Sequence, residues 1–285
     1  MNLRGLAASS LFPALLLVPF SPAWAEDLKP SKDAGPYVPS PQSVVADMLK
    51  VADVGPDDFI IDLGSGDGRI VLTAAKVFGA RGFGVEIKDD LVHKANQAAK
   101  AEGLADRVKF VKQDLFKTDI SQATVLTMYL LPDTVNLLKD KLLAELKPGT
   151  RIISHDYPLT GWKAQDYKQF DLQEKVAISG VTTTLIYLYI VPAKVAGRWT
   201  ATVPASVSRK PVVLSIKQQV TRISGTAIVD GREVLLDDAE IEGDRVRFKL
   251  LGRTEVFAGQ VKGRTIEGRV DSGGQKAPWS AKLGG

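Results

Sequence analysis

A glycine-rich string between two apolar segments carries the clearest chemical signal in the chain. It covers residues 62–69 and reads DLGSGDGR. Glycines at such a turn let the backbone approach a ligand without interference from a Cβ atom. The spacing is G-x-G-x-G, not the dinucleotide-binding G-x-G-x-x-G, and Asp62 stands two residues before the first glycine. A carboxylate there would repel a pyrophosphate and attract a cationic ligand.

Two more carboxylates follow apolar segments further along the chain. Glu86 stands 18 residues beyond Gly68, where a carboxylate can accept the hydroxyls of a ribose. Asp114 and Leu115 follow a third segment, and Asp114 is placed to accept from an exocyclic adenine amine. Ligands bind at the carboxyl ends of parallel strands in open α/β sheets, so these groups are predicted to share one site with the glycine string.

The elements that must position these groups alternate between strand and helix. Strands are predicted at Phe59–Leu63, Arg81–Ile87, Val108–Val111, Ala123–Leu130 and Thr150–His155. Helices are predicted after the cap Ser40-Pro41, from Gly68 to Val77, and over Asp90–Ala101 and Pro132–Leu146. This alternation predicts an α/β fold with five parallel strands covered on both faces. Lys168–Ile178 and Thr182–Val191, with a turn at Ser179-Gly180, predict an antiparallel hairpin at the sheet edge.

The sequence pattern changes after residue 196, where short runs of alternating apolar and polar residues are separated by glycine-containing turns. Strands are predicted at Val212–Ile216, Val220–Val229, Val246–Leu250, Val256–Val261 and Thr265–Val270. This pattern predicts a small all-β antiparallel meander, closed or nearly closed. The predicted organisation is a signal peptide (1–25), a flexible leader (26–36), an α/β domain (37–192) and a β-domain (198–285).

Composition excludes several kinds of site. The chain has no cysteine, which excludes disulfides, thiolate metal sites and Fe–S clusters, and only two histidines, His93 and His155, so no metal centre is predicted. The net charge of +4 arises after Trp199, where basic residues alternate with acids and never form a run of five. That alternation predicts a solvated strand face and no nucleic-acid partner.

Residues 37–191 resemble a class I S-adenosylmethionine-dependent methyltransferase with a Rossmann-like sheet. The resemblance rests on DLGSGDG, on Gly84-Val85-Glu86 and on Gln113-Asp114. It implies S-adenosyl-L-methionine as the cofactor, held by the glycine string and the two later motifs. The implied cofactor-binding residues are Asp62, Gly64, Ser65, Gly66, Gly68, Glu86, Asp114 and Leu115.

A narrower resemblance rests on YVPSP at residues 37–41 together with residues 62–71. These strings resemble the protein-lysine methyltransferase branch related to the mitochondrial enzymes that modify ATP-synthase and carrier proteins, and more distantly the Dot1-like enzymes. This resemblance implies that Tyr37 and Pro39 form a flap over the cofactor. A Pro-rich leader that merely docks on the domain is the alternative.

The methyl acceptor is a protein or a small molecule, and the narrower resemblance implies a lysine amine. The Asn/Asp-Pro-Pro-Tyr string of methyltransferases that act on bases or glutamine is replaced here by TMYLLP at residues 127–132. Tyr129 and Asp156, each at the carboxyl end of a predicted strand, are therefore the candidates that would orient an amine. The alternative is an exported non-catalytic module that keeps the fold and binds a partner through the β-domain.

The N-terminus has the pattern of a secretory signal. Arg4 precedes the apolar run Leu11–Phe20, and Ala23-Trp24-Ala25 offers a cleavage site. The apolar run is shorter than the roughly 20 residues that a membrane span needs. Export to the periplasm or the medium is therefore expected, without stable membrane insertion after cleavage. The alternative is an uncleaved anchor.

We predict that the mature chain begins at Glu26, because signal peptidases cleave after an A-x-A site. Intact-mass measurement of protein from the periplasmic or culture fraction tests this. A mass that includes residues 1–25 would favour the anchor.

Overall fold

A seven-stranded sheet forms the first half of the protein. A computed structural model describes residues 36–284, so the predicted signal peptide, and the predicted leader except Pro36, lie outside the described residues. The strands are β1 Phe59–Leu63, β2 Arg81–Glu86, β3 Val108–Lys112, β4 Val125–Met128, β5 Arg151–His155, β6 Asp166–Asp171 and β7 Thr183–Ile190. Their order is β3-β2-β1-β4-β5-β7-β6, with β1 to β5 parallel and β7 antiparallel to both of its neighbours. The predicted parallel sheet with an antiparallel pair at its edge is confirmed.

Helices cover both faces of this sheet. They are α1 Gln42–Val51, α2 Arg69–Phe78, α3 Asp89–Ala101, α4 Pro132–Leu137, α5 Lys139–Glu145 and α6 Val176–Ser179. Residues of α1, α2 and α3 share one apolar core with Ile60, whereas residues of α4 and α5 share another with Ile61. Because successive strand residues point to opposite faces, these two cores lie on either side of the sheet.

Two predicted elements differ from the structure. The predicted helix Pro132–Leu146 is divided at Leu138, and the side chains of Val135, Leu138 and Leu142 are all fully buried. The predicted strand Lys168–Ile178 is wrong beyond Asp171, where a 3₁₀ turn and α6 replace it. Lys175 in that turn is buried and donates to Asp156 and to the Thr183 carbonyl, and this tertiary contact overrides the local strand pattern.

The predicted Ser40 cap of the first helix is also wrong. The residue that caps α1 is Pro41, and no side chain makes a capping hydrogen bond there. The Ser40 hydroxyl instead lies 2.8 Å from Nδ1 of His155, at the end of β5. The serine therefore joins two distant parts of the chain instead of satisfying its own helix.

The C-terminal part forms a closed eight-stranded barrel. Its strands are β8 Gly197–Thr202, β9 Val212–Gln219, β10 Arg222–Val229, β11 Arg232–Glu242, β12 Arg245–Leu250, β13 Val256–Lys262, β14 Thr265–Ser272 and β15 Gln275–Leu283. The strand order is β10-β11-β12-β13-β14-β15-β8-β9, and β9 in turn pairs with β10. The last strand along the chain, β15, therefore lies beside the first strand of the barrel, β8. The predicted antiparallel meander is confirmed. The sequence patterns missed β8, β11 and β15; shifts in the pairing register of β11 interrupt its alternation.

Side chains fill the interior of this barrel. Phe248 and Phe257 stack with ring centroids 4.9 Å apart, and the Trp279 ring meets both edge-on. Trp199 is fully buried and its indole N–H donates to the Val195 carbonyl at 2.8 Å. An interior packed with aromatic and aliphatic groups is a structural core and not a ligand cavity.

The barrel contacts the sheet at the amino ends of its parallel strands. Ala193 N donates to the Gly243 carbonyl at 2.7 Å, and Gly243 lies against Gly149 and Ile190 beside the start of β5. The groups that the sequence singles out lie at the opposite, carboxyl ends of the strands. None of the helices between residues 36 and 284 is long and apolar enough to cross a membrane.

Candidate functional site

The glycine string forms the turn from β1 into α2. Gly64, Gly66 and Gly68 have positive φ values of 76°, 55° and 83°, which glycine adopts without strain. The backbone N–H groups of Gly64 and Ser65 both donate to the Val85 carbonyl at 2.9 Å. The turn is therefore fastened to the end of β2, beside the position of the next carboxylate.

Two of these glycines also lie against aromatic rings. A Cβ atom on Gly66 would stand 2.4 Å from the Tyr37 ring, and one on Gly68 would stand 2.6 Å from the Phe110 ring. No real Cβ atom approaches so closely, so both positions require glycine on steric grounds as well as for their backbone angles.

Ser65 lies within the same turn and is buried. Its hydroxyl has no hydrogen-bond partner among residues 36–284. The side chain packs against Gly84, where an added Cβ would approach the serine hydroxyl to 2.5 Å. A buried hydroxyl without a partner is uncommon, and it marks this turn as a place where a ligand can satisfy a donor.

Asp62 is the penultimate residue of β1, lies beneath this turn and is only 2% exposed. It accepts a hydrogen bond of 2.7 Å from the hydroxyl of Thr127 on β4. Burial raises the pKa of Asp62 to about 7, the Thr127 hydrogen bond opposes the rise, and the charges of Glu86 and Asp67 add to it. The site thus holds a carboxylate whose charge is not compensated, which favours a cationic ligand.

Glu86 ends β2 and holds several backbone groups in place. Its Oε2 accepts from Gly66 N at 3.1 Å, and its Oε1 accepts from Ile87 N at 2.8 Å and Lys88 N at 3.0 Å. A carboxylate has about four acceptor positions, so most of them are already occupied. Glu86 therefore shapes the glycine turn in addition to any contact with a ligand.

Asp114 and Leu115 follow β3 on the next strand outward. Asp114 is half-buried and accepts from Phe116 N at 2.9 Å, which forms a tight local turn. Leu115 is buried in the apolar core that contains Leu63 and Val85. The three carboxylates thus lie at the carboxyl ends of the adjacent strands β1, β2 and β3, as predicted from their spacing.

Residues 37–41, which we call the N-terminal strap, lie against the glycine turn. Arg69 fastens them, because its Nη1 donates to the Ser40 carbonyl at 2.7 Å. The same guanidinium grips Asp67 through Nε and Nη2, at 2.9 and 2.8 Å. Burial acts to raise the pKa of Asp67, but the hydrogen bonds and charge of Arg69 outweigh it and lower that pKa.

The Tyr37 ring covers Gly66, and its hydroxyl lies near the ion pair of Asp67 and Arg69. Burial and the charge of Asp67 raise the pKa of Tyr37 to about 12, so the phenol is neutral at physiological pH. Pro39, two residues on, is half-buried. The strap therefore occupies the position expected of a flap over the turn.

A second polar cluster lies where β4 and β5 end. The Tyr129 ring packs on the His155 ring with centroids 3.9 Å apart, and Asp156 lies near the Tyr129 hydroxyl. Oδ1 of Asp156 accepts from Lys175 Nζ at 2.7 Å and from Leu185 N at 3.1 Å. The charge of Asp156 is thus compensated by a lysine that is itself only 2% exposed.

Burial sets the protonation of the aromatic groups in this cluster. Burial lowers the pKa of His155 to about 4. The charge of Lys175 lowers this pKa further and the charge of Asp156 opposes the change, so the imidazole is neutral at physiological pH. Burial, followed by the charge and hydrogen bond of Asp156, raises the pKa of Tyr129 well above its usual range. Neither ring is poised to exchange a proton near neutral pH.

The structure brings the predicted residues together in two groups. One surrounds the glycine turn and includes the strap; the other is Tyr129 with Asp156. His93 is exposed on α3 and belongs to neither. Sequence reasoning missed Thr127 and Lys175. A threonine within the apolar run of β4 is a signal that could have been used, whereas nothing local marks Lys175.

Comparisons with known proteins agree with this geometry. Residues 62–166 match the family model described as ANTKMT methyltransferase domain. A protein-lysine N-methyltransferase of Saccharolobus islandicus is 42% identical over 157 residues, 55% of this chain and 93% of that protein. The adenine nucleotide translocase lysine N-methyltransferase of Mus musculus is 32% identical over 154 residues, 54% of this chain and 62% of the mouse protein.

A solved structure shows the same fold with a bound product of the cofactor. It is described as an RNA methyltransferase from Salinibacter ruber in complex with S-adenosyl-L-homocysteine. The two chains are 45% identical, the match covers 55% of this chain and 96% of the other, and the TM-score is 0.50. The part of this chain that matches the family model, residues 62–166, does not include the barrel.

The relatives are enzymes, which favours catalysis over the non-catalytic alternative. The glycine turn, the three strand-end carboxylates and the 42% identity over nearly the whole archaeal relative together assign the chain. It is an S-adenosylmethionine-dependent methyltransferase with a Rossmann-like sheet, and it belongs to the family of the Saccharolobus islandicus protein-lysine N-methyltransferase.

Proposed function

We propose that the residues around the glycine turn hold S-adenosylmethionine and that the protein transfers its methyl group to a lysine amine of another protein. The observation that carries the cofactor assignment is the buried, uncompensated Asp62 beneath a turn of three glycines. S-adenosylmethionine supplies an electrophilic methyl group on a positively charged sulfur. The residues present fit such a group, since Asp62 offers a negative charge and Ser65 an unsatisfied hydroxyl.

In this proposal the adenosine part lies along the ends of β2 and β3. Glu86 retains an acceptor position for a ribose hydroxyl while it keeps its bonds to Gly66, Ile87 and Lys88. Asp114 accepts from the adenine amine, and Leu115 contributes apolar contact. The backbone of Gly64 and Gly66 allows close approach, and Tyr37 and Pro39 exclude water from above the turn.

The names of the relatives support a lysine acceptor, and the cluster at β4 and β5 supplies suitable chemistry. A lysine amine has a free pKa of about 10.4 and must lose its proton before it attacks. A water-poor site and a nearby positive charge both lower that pKa, so no strong base is required. The protein then contributes mainly alignment of the amine with the methyl group.

Tyr129 is the group best placed to give that alignment. Its hydroxyl lies near Asp156, and the oxygen of a neutral phenol can accept a hydrogen from the amine. Because its pKa is raised, it acts as an orienting phenol and not as a base. Asp156 is already paired with Lys175, so it positions Tyr129. It carries no free negative charge toward the substrate.

A second acceptor class follows from one observation, the description of the Salinibacter ruber relative as an RNA methyltransferase. The sequence TMYLLP in place of the Pro-Pro-Tyr string disfavours transfer to a base. Export, which the N-terminal signal pattern supports, also favours a protein acceptor. RNA therefore enters the assay below as the competing substrate.

We expect Glu86→Ala to weaken cofactor binding by about 1–3 kcal/mol, the cost of unpaired groups in a buried site. Asp114→Ala should weaken it in the same direction with less disturbance of the turn, because Asp114 bonds only to its own segment. Calorimetric titration with S-adenosylhomocysteine measures both. Glu102→Ala, on the surface beside Lys76, is the matched control. Unchanged affinity in both test variants would remove the assignment of these residues.

We expect cofactor affinity to increase with pH up to about 7 and then level off. Asp62 is protonated below its pKa of about 7, and only its carboxylate attracts a cation, so binding at lower pH must release a proton. Affinity should change by up to about tenfold per pH unit on the acid side. Calorimetric titrations in buffers of different ionisation enthalpy measure the number of protons released when the cofactor binds. A flat profile in the wild type, or an equal slope in Asp62→Asn, contradicts this role.

We expect Tyr129→Phe to lower kcat by about tenfold to a hundredfold while cofactor affinity stays constant, because misalignment of reacting groups costs about that much. Tyr157→Phe, whose ring lies 6.4 Å from that of Tyr129, is the control. Transfer of radiolabelled methyl groups to a cell-envelope protein extract and to RNA is measured in parallel. Label on RNA alone, or on small molecules alone, would reject the lysine acceptor and retain the methyltransferase.

A further inference from the structure

Two segments of the chain contain no acidic residue. Residues 175–229 and residues 272–285 have neither Asp nor Glu, although the whole chain has 33 acidic residues in 285. The two segments are separated in sequence by the acid-containing strands β11 to β14. Their composition alone therefore says little about where their basic residues lie relative to one another.

Closure of the barrel brings these segments side by side. In the barrel the strands β15, β8, β9 and β10 are neighbours in that order. All four lie within the two acid-free segments, so none of them carries an acidic side chain on the outer surface. We call this surface, with the loop 203–211, the basic face. Its exposed basic residues are Arg198, Arg209, Lys210, Lys217, Arg222, Lys276 and Lys282.

The pairing register aligns three of these side chains. Lys282 stands opposite Thr200, which makes it a diagonal neighbour of Arg198 on β8. Arg198 stands opposite Ser215, which makes it a diagonal neighbour of Lys217 on β9. Diagonal neighbours on one face lie about 7–8 Å apart, so the three charges form a continuous stripe.

The basic residues of the basic face are not held in ion pairs. Between residues 36 and 284, no ion pair involves any of its seven basic residues, although Arg222 stands opposite Glu240 and Lys276 opposite Asp271 in the pairing register. On the opposite half of the barrel, by contrast, Lys249 pairs with Asp238 at 2.5 Å and Lys262 with Glu267 at 2.9 Å. The opposite half of the barrel thus mixes basic residues with acids, whereas the strands of the basic face carry basic residues and no acid.

The chemistry of the face distinguishes among anionic partners. Protein interfaces are centred on aromatic anchors, and single-stranded nucleic acids stack on exposed aromatic rings. Every aromatic residue of the barrel is buried. At the far end of β10, however, the exposed Ile228 lies diagonal to the exposed Leu235. Basic side chains with aliphatic groups at their border are the combination that binds a lipid surface.

We propose that the basic face docks the enzyme on the surface of a bilayer that contains anionic lipids. The contact is peripheral: lysine and arginine side chains meet the phosphate headgroups, and Ile228 and Leu235 contact the interface. The barrel thereby holds the methyltransferase sheet near the membrane. The filled interior of the barrel leaves its outer surface as the part available for this role.

Vesicle co-sedimentation of the full chain tests the proposal. Binding is expected to vesicles of phosphatidylglycerol and phosphatidylcholine, and not to phosphatidylcholine alone. It should weaken as salt shortens the Debye length from about 10 Å at 0.1 M to about 3 Å at 1 M. Each basic group near an anionic surface strengthens binding about fivefold. Arg198→Glu combined with Lys217→Glu should therefore weaken it at least about 25-fold.

The matched control reverses the same charge on the opposite half of the barrel, by Arg245→Glu combined with Arg247→Glu on β12. Its loss should be several-fold smaller. Equal loss in the two variants, or equal binding to both kinds of vesicle, would overturn the proposal. So would tighter binding of duplex RNA that the first variant abolishes. Cofactor affinity should be the same in all three proteins, so failure here is distinguishable from failure of the proposed function.

Discussion

The guanidinium of Arg69 is the junction on which the site depends. It bonds Asp67 in the glycine turn with two nitrogens and the backbone of Ser40 in the strap with a third. Planar, forked donors of this kind fix both distance and angle, which a lysine at the same position would not do. This one side chain therefore ties the strap to the turn that it covers.

From that junction a continuous series of contacts reaches the second cluster. The Ser40 hydroxyl contacts His155, the His155 ring packs on Tyr129, and Tyr129 lies beside Asp156, which is paired with Lys175. The carboxylates of Asp62 and Asp156 therefore differ in kind. Asp62 lacks a cationic partner in the protein and suits a charged ligand, whereas Asp156 has one and holds its neighbours in place. Environment, not residue type, separates their roles.

Local sequence was sufficient for the glycine turn and the three strand-end carboxylates. Their spacing follows from the repeated unit of strand and helix, so the sequence alone locates the site. The strap contacts of Ser40 and the burial of Lys175 could not be predicted, since each depends on a partner more than a hundred residues or a whole element away. The strands β8, β11 and β15 were missed because charges, register shifts or a proline interrupt their alternation.

Pairing of β8 with β15 has a consequence for the order in which the two parts of the protein can fold. The strand that completes the barrel ends at Leu283, and it carries Trp279 into the aromatic core. The sheet can assemble once β7 is available, whereas the barrel cannot close before β15 is available. Until then β8 and β14 are open strand edges, which are sites of misassociation. Deletion of β15 alone would make that temporary exposure permanent.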